Sequence, residues 1–219
     1  MSDVAITILL PVSLAAALAY GIGLRRAEPS ILRVAVKTVP VAALAAIAAV
    51  SGAPVTLAIA LTLCALGDAL LALDKRGFLP GLAAFLLGHL AYIALFAGVG
   101  RGFGVFAEQP LLIVAAVGIA VFALVMFGWL RSSLGALKLP VLLYVVAIAA
   151  MAVAVLTLPP AGWLAILGAY LFVASDAVLA TELFKLDDNG RAVALTSAFV
   201  WAAYYLGQLA ILAAFVPLY

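Results

Sequence analysis

Long apolar runs follow one another along the whole chain, separated at regular intervals by short clusters of Gly, Pro and charged residues. The runs cover roughly 4–22, 32–50, 55–73, 79–99, 110–130, 139–158, 162–184 and 191–216. Each is close to the ~20 residues that an α-helix needs to cross a bilayer. Hydrocarbon offers the backbone no hydrogen-bond partners, so only helices or closed barrels can span it, and the period-two alternation of a barrel strand is missing here. The expected fold is therefore all-α: a polytopic membrane protein with about eight transmembrane helices. Residues 1–219 should form a single transmembrane domain with no inserted soluble domain. The first run is read as a retained helix, because no Lys or Arg precedes it whereas Arg25 and Arg26 follow it.

Composition excludes the water-soluble alternatives. With 69% hydrophobic and 9% charged residues, and a mean hydropathy of +1.38, no soluble domain of this size could hide its apolar surface. The net charge of +2 is carried by basic residues scattered singly or in pairs, so no nucleic-acid partner is expected. Cys64 is the only cysteine and has no partner for an internal disulfide. Arg25, Arg26, Arg33, Lys75, Arg76, Arg131, Lys138, Lys185 and Arg191 all fall at alternate connections, with Arg101 opposite. The excess of basic residues on cytoplasmic loops then predicts a multi-pass protein of the inner or plasma membrane, with both termini on the non-cytoplasmic side. Gly77 with Pro80, Pro159 with Pro160, and Asp188-Asn189-Gly190 supply the turns. An internal echo links Gly67-Asp68-Ala69-Leu70-Leu71-Ala72 with Ser175-Asp176-Ala177-Val178-Leu179-Ala180, which suggests two parallel four-helix halves.

Candidate chemistry lies in the few polar residues inside the runs. Ionisable groups in a bilayer core are costly and mark functional positions by default. Counted from the basic end at ~1.5 Å per residue, Lys37, Asp68, His89 and Asp176 fall between roughly 8 and 15 Å deep, one layer fed by four helices. Lys37 precedes Pro40 by one helical turn, and a proline there leaves the Val36 carbonyl without its bond. Phe85, His89, Tyr92 and Phe96 share one helical face, as do Ser197, Trp201, Tyr205 and Gln208, with Tyr204 alongside and Tyr144 nearby. Asp74 and Glu182 lie near helix ends within reach of a lipid head group, while Asp187 and Asp188 are expected in water. The pattern holds no cluster with zinc spacing, no nucleophile elbow and no phosphate loop, so neither a metal nor another cofactor is expected.

Lys37 with Pro40, Leu66-Gly67-Asp68, Gly81 with Phe85, Gly88-His89 and Tyr92 begin a recognisable set. Tyr144 with Met151, Gly168-Ala169, Phe172-Val173, Ser175-Asp176 and Tyr204-Tyr205 with Gln208 complete it. Together these residues resemble the YhhN family, from the second run to the C-terminus. The resemblance implies a lysoplasmalogenase, an enzyme that hydrolyses the vinyl ether bond of a lysoplasmalogen to a fatty aldehyde and a glycerophospho-amine. The implied partner is a lysophospholipid entering from the surrounding membrane lipids.

Vinyl ether hydrolysis needs an acid to protonate the distal alkene carbon and an anion to stabilise the oxocarbenium ion that water then attacks. Two carboxyl groups in a low-dielectric layer can divide these tasks, as paired acids do in glycoside hydrolysis. Asp68 and Asp176 are the candidate pair, with their individual roles open. His89 and Ser175 are expected to orient water or an acid. Lys37 is expected to tune the pair or meet the substrate phosphate, and Tyr92, Tyr144, Tyr204, Tyr205 and Gln208 to shape the binding pocket. Two aspartates on neighbouring helices also suit an intramembrane protease, although Ala65 stands where its Gly-x-Gly-Asp motif has glycine and Ser175 where it has tyrosine. Buried acids and parallel halves suit a proton-coupled transporter as well.

Overall fold

The computed structural model describes residues 2–73, 75–186, 191–216 and 218. Asp74, Asp187 and the turn expected at Asp188-Asn189-Gly190 lie outside them. Among the described residues the chain is helical with no strands. Eight of its helices are long and apolar enough to cross a membrane. The helices are α1 (Ser2–Ala19), α2 (Ile31–Val50), α3 (Val55–Ala72), α4 (Phe78–Val99), the short α5 (Val105–Glu108), α6 (Pro110–Leu130), α7 (Lys138–Ala154), α8 (Trp163–Lys185) and α9 (Arg191–Phe215). Their order and number agree with the hydropathy reading. The additional short helix sits in the glycine-rich connection after α4.

Local chemistry marks where the helices start and how their polar side chains survive in lipid. Ser30 caps α2 by accepting the Arg33 backbone N–H at 3.2 Å. Pro110 begins α6, where its missing N–H costs nothing. Thr38, Thr62 and Thr181 each donate to the carbonyl four residues back, which satisfies hydroxyls that hydrocarbon could not. Helix α2 continues through Pro40, whose own carbonyl accepts from Ser13 Oγ of α1 at 2.8 Å.

Small residues decide which helices approach closely. A Cβ at Gly67 would come within 2.5 Å of the Phe85 ring, so this glycine seats α3 against α4. Gly81 lies inside α4, buried on Leu71. Its approach to α3 is the reason no larger residue fits. Helices α8 and α9, the most extensively packed pair, meet backbone to backbone. A Cβ at Gly168 would lie 2.5 Å from the Gly207 carbonyl oxygen, and one at Gly207 would lie 2.8 Å from that of Gly168. By contrast α6 buries only Leu130 and touches chiefly α7 and α8. It forms an outer wall.

Gly168→Ala should therefore push α8 from α9 and lower stability by about 2 kcal/mol. Thermal unfolding in detergent checks this, with Gly118→Ala in α6 as the control, since nothing lies within 4 Å of a Cβ there. Equal melting temperatures for the two variants would contradict this account of the α8–α9 contact.

Candidate functional site

A cavity of about 670 Å³ opens among α2, α3, α4, α6, α7, α8 and α9. Its walls are mostly apolar, and Ile119, Phe122, Ala123 and Met126 of α6 close one side. Lys37, Asp68, Tyr144, Ser175, Asp176 and Tyr204 all line it. The two aspartates thus face a common space from different helices, near enough for their charges to interact.

Each carboxyl group has its own set of partners. Asp68 is almost fully buried, its side chain 2% exposed, and Lys37 Nζ lies 3.6 Å from Oδ1. On its other oxygen Asp68 accepts the Tyr204 hydroxyl at 2.7 Å. A cation and a phenol thereby replace the water that a buried carboxylate loses. Asp176 accepts the Tyr144 hydroxyl on Oδ2 at 2.5 Å. The same oxygen lies 3.6 Å from His89 Nε2, too far for a hydrogen bond.

The tautomer of His89 follows from its other contact. Nδ1 lies 2.7 Å from the Phe85 carbonyl oxygen, which can only accept, so Nδ1 carries the proton. Nε2 then presents a lone pair to Asp176, and it has no hydrogen-bond partner among the described residues. The ring itself is clamped: its centroid is 4.6 Å from Phe172 and 5.1 Å from Tyr144. A lone pair beside an ionised carboxylate would repel it. One proton between the pair removes the conflict.

The remaining residues singled out from the sequence divide into supports and outliers. Ser175 lines the cavity, but its hydroxyl donates to the Val200 carbonyl at 2.9 Å and fastens α8 to α9. Tyr92 donates to Gln208 Oε1, and both are fully buried behind the lining and not in it. Tyr205 departs from the expected pocket. Its hydroxyl bonds Ser13 of α1 at 2.8 Å, and because Ser13 donates to Pro40, Tyr205 donates to Ser13. The residue follows Tyr204 on α9, and at 100° per residue a neighbour must point elsewhere. Trp201 behaves as a packing anchor, donating from Nε1 to the Ala17 carbonyl at 2.9 Å while its ring edges the cavity. Glu182 also lines the cavity and accepts from Thr196 at 3.0 Å. Among the described residues, no three His, Cys, Asp or Glu side chains gather as a metal site would require.

Sequence reasoning assigned no role in the site to four residues that contribute to it: Ser13, Phe172, Arg25 and Arg33. Ser13, a polar side chain inside α1, is fully buried. Phe172 supplies the shelf under His89. Arg25 and Arg33 reach the cavity as well, and Arg33 precedes Lys37 by four residues, a spacing that puts both on one helical face.

Comparison with known proteins finds similarity over most of the chain. The model of the YhhN family matches residues 32–215. Proteins named lysoplasmalogenase from Mycobacterium bovis and Mycobacterium tuberculosis are each 33% identical over 159 residues, a stretch covering 71% of this chain. The match spans 58% of each relative, little more than half of its length. No solved structure matches the chain.

Removing one member of a buried ion pair strands the other. Lys37→Met should lower stability by about 3 kcal/mol, and adding Asp68→Asn should recover most of that loss. Denaturant unfolding of the two variants checks it. A double variant no more stable than Lys37→Met alone would contradict the pairing.

Proposed function

The chain belongs to the YhhN family, and on that premise we propose that it is a membrane-embedded hydrolase that cleaves the vinyl ether bond of a lysoplasmalogen, with Asp176 as the acid and Asp68 as the stabilising anion. The observation that carries this reading is the pair of aspartates facing one apolar cavity with unlike partners: Lys37 and Tyr204 at Asp68, Tyr144 and His89 at Asp176. The names of the two mycobacterial relatives support the reaction class.

In this proposal Asp176 holds a proton that its His89 contact calls for, and Asp68 balances Lys37 as a carboxylate. Asp176 delivers its proton to the distal carbon of the O–CH=CH group, and the alkene electron pair forms the new C–H bond. The positive charge then rests on the ether oxygen and the carbon beside it. Asp68, with its charge already fixed in a site that excludes water, lowers the energy of that cation without having to reorganise. Water attacks the carbon and gives its proton to Asp176, which restores the acid. The hemiacetal collapses by breaking the carbon–oxygen bond to glycerol, its hydroxyl proton passing to the departing oxygen. One water is consumed, and one aldehyde and one glycerophospho-amine are released.

His89 and Tyr144 serve as positioning residues: Tyr144 donates to Asp176, the His89 ring flanks it at 3.6 Å, and neither needs to reach the substrate. The alkenyl chain lies along the apolar wall that α6 contributes, so the lipid enters sideways from the bilayer by way of the least buried helix. The basic end of the bundle faces the cytoplasm and both termini face away from it.

Asp176→Asn and Asp68→Asn should each cut aldehyde release from lysoplasmenylethanolamine by about a hundredfold or more while leaving the helical content unchanged. Aldehyde is measured with a coupled dehydrogenase and the fold by circular dichroism. Undiminished turnover in both variants would eliminate the aspartate mechanism.

A further inference from the structure

The same cavity extends past the aspartates to the basic end of the bundle, where Arg25 and Arg33 join its lining. Arg25 follows a wide π-helical turn at Tyr20–Leu24, and the Tyr20 ring packs against Trp201 with centroids 4.5 Å apart. Its backbone N–H donates to the Tyr20 carbonyl at 2.9 Å. Arg33 sits in the first turn of α2, held there by the Ser30 cap. Both side chains are built into the wall.

Three of their guanidinium nitrogens are left without a partner among the described residues. Nε and Nη1 of Arg25 and Nε of Arg33 are shielded from solvent and lack a hydrogen-bond partner among the described residues. Lys37 is balanced by Asp68. Glu182, the acid across the cavity, interacts with Arg25. Among the described residues that leaves the charge of Arg33 unmatched, and shielded guanidinium donors without a partner call for an oxygen-rich anion.

Spacing identifies the anion. Arg33 and Lys37 are one helical turn apart, about 6 Å along the axis, and Lys37 marks the position of Asp68. In a lysophospholipid five bonds separate phosphorus from the sn-1 ether oxygen, roughly 6 Å end to end when the bonds of ~1.5 Å zigzag at tetrahedral angles. A phosphodiester at the arginines therefore sets the ether at the aspartates. We propose that Arg25 and Arg33 form a phosphodiester subsite that grips the head group of the lysophospholipid and fixes which bond of the lipid reaches Asp176. This assignment rests on the lysophospholipid reading of the cavity.

A non-cleavable 1-O-alkyl lysophosphoethanolamine tests the subsite separately from the reaction, by equilibrium binding in a sugar-headed detergent that carries no phosphate. The wild-type chain should bind it at least about tenfold more tightly than the matching 1-O-alkylglycerol. Arg33→Gln and Arg25→Gln should erase that preference, and Arg33→Lys should keep part of it. Inorganic phosphate should compete only weakly. Equal binding of the two lipids by wild type, a preference that survives both glutamine variants, or inorganic phosphate displacing the lipid at matching concentration would each overturn the subsite. In parallel, Arg33→Gln should raise KM for lysoplasmenylethanolamine about tenfold, far more than it lowers kcat, and a fall in kcat alone would overturn a binding role. Absence of aldehyde from the wild-type chain would defeat the proposed reaction and leave the head-group preference standing, so the two failures are distinguishable.

Discussion

A carboxyl group enclosed in hydrocarbon must either meet a cation or keep its proton, and this chain encloses two of them around one cavity. Asp68 takes the first solution through Lys37 at 3.6 Å. Among the described residues Asp176 has the lone-pair face of His89 and the Tyr144 hydroxyl and no cation, which together fit the second. The rest of the bundle serves that difference. Gly67 lets α3 settle on Phe85, and the crossing at Gly168 and Gly207 sets α8 against α9 so that Asp176 and Tyr204 look into the same space. Phe172 and Phe85 then hold His89 and Tyr204 at fixed angles. Where charges are this costly, separating one from its partner is strongly destabilising, and the packing keeps each beside its own.

The same cavity is uneven in a way that suits a lipid with a polar end. Arg25, Arg33 and Glu182 lie toward the basic end, the aspartates lie deeper, and the residues of α6 provide an apolar flank. Helix α6 contributes the least to the core of all the spanning helices. A wall held this loosely is the natural side for a chain to pass, because little packing is lost when it moves. The proposed reaction uses this layout in order: head group at the arginines, ether at the aspartates, hydrocarbon chain along α6.

Much of the fold was legible because membrane helices announce themselves by length and hydropathy, and the eight runs read from the sequence became eight spanning helices. That Lys37, Asp68, His89 and Asp176 would come to a common level was legible too, since it needs only the helical rise. Who pairs with whom was not. Lys37 serving Asp68 and His89 serving Asp176 depend on how the helices rotate about their axes, and glycine contacts determine that rotation without leaving a periodic signal. Tyr205 illustrates the limit, because only the position of Ser13 on α1 explains why its hydroxyl turns away from the cavity while that of Tyr204 turns in. Arg33 was within reach of the same reasoning as Lys37, four residues on, yet its place near a helix end made it look like an orientation signal alone.

The unequal state of the two carboxyl groups is the claim from which the chemistry follows. Infrared spectroscopy of the protein at neutral pH reads it directly through the carbonyl stretch of a protonated carboxylic acid. The account predicts that this band is present in the wild-type chain, persists in Asp68→Asn, and loses intensity in Asp176→Asn. A band lost in Asp68→Asn and kept in Asp176→Asn would contradict it.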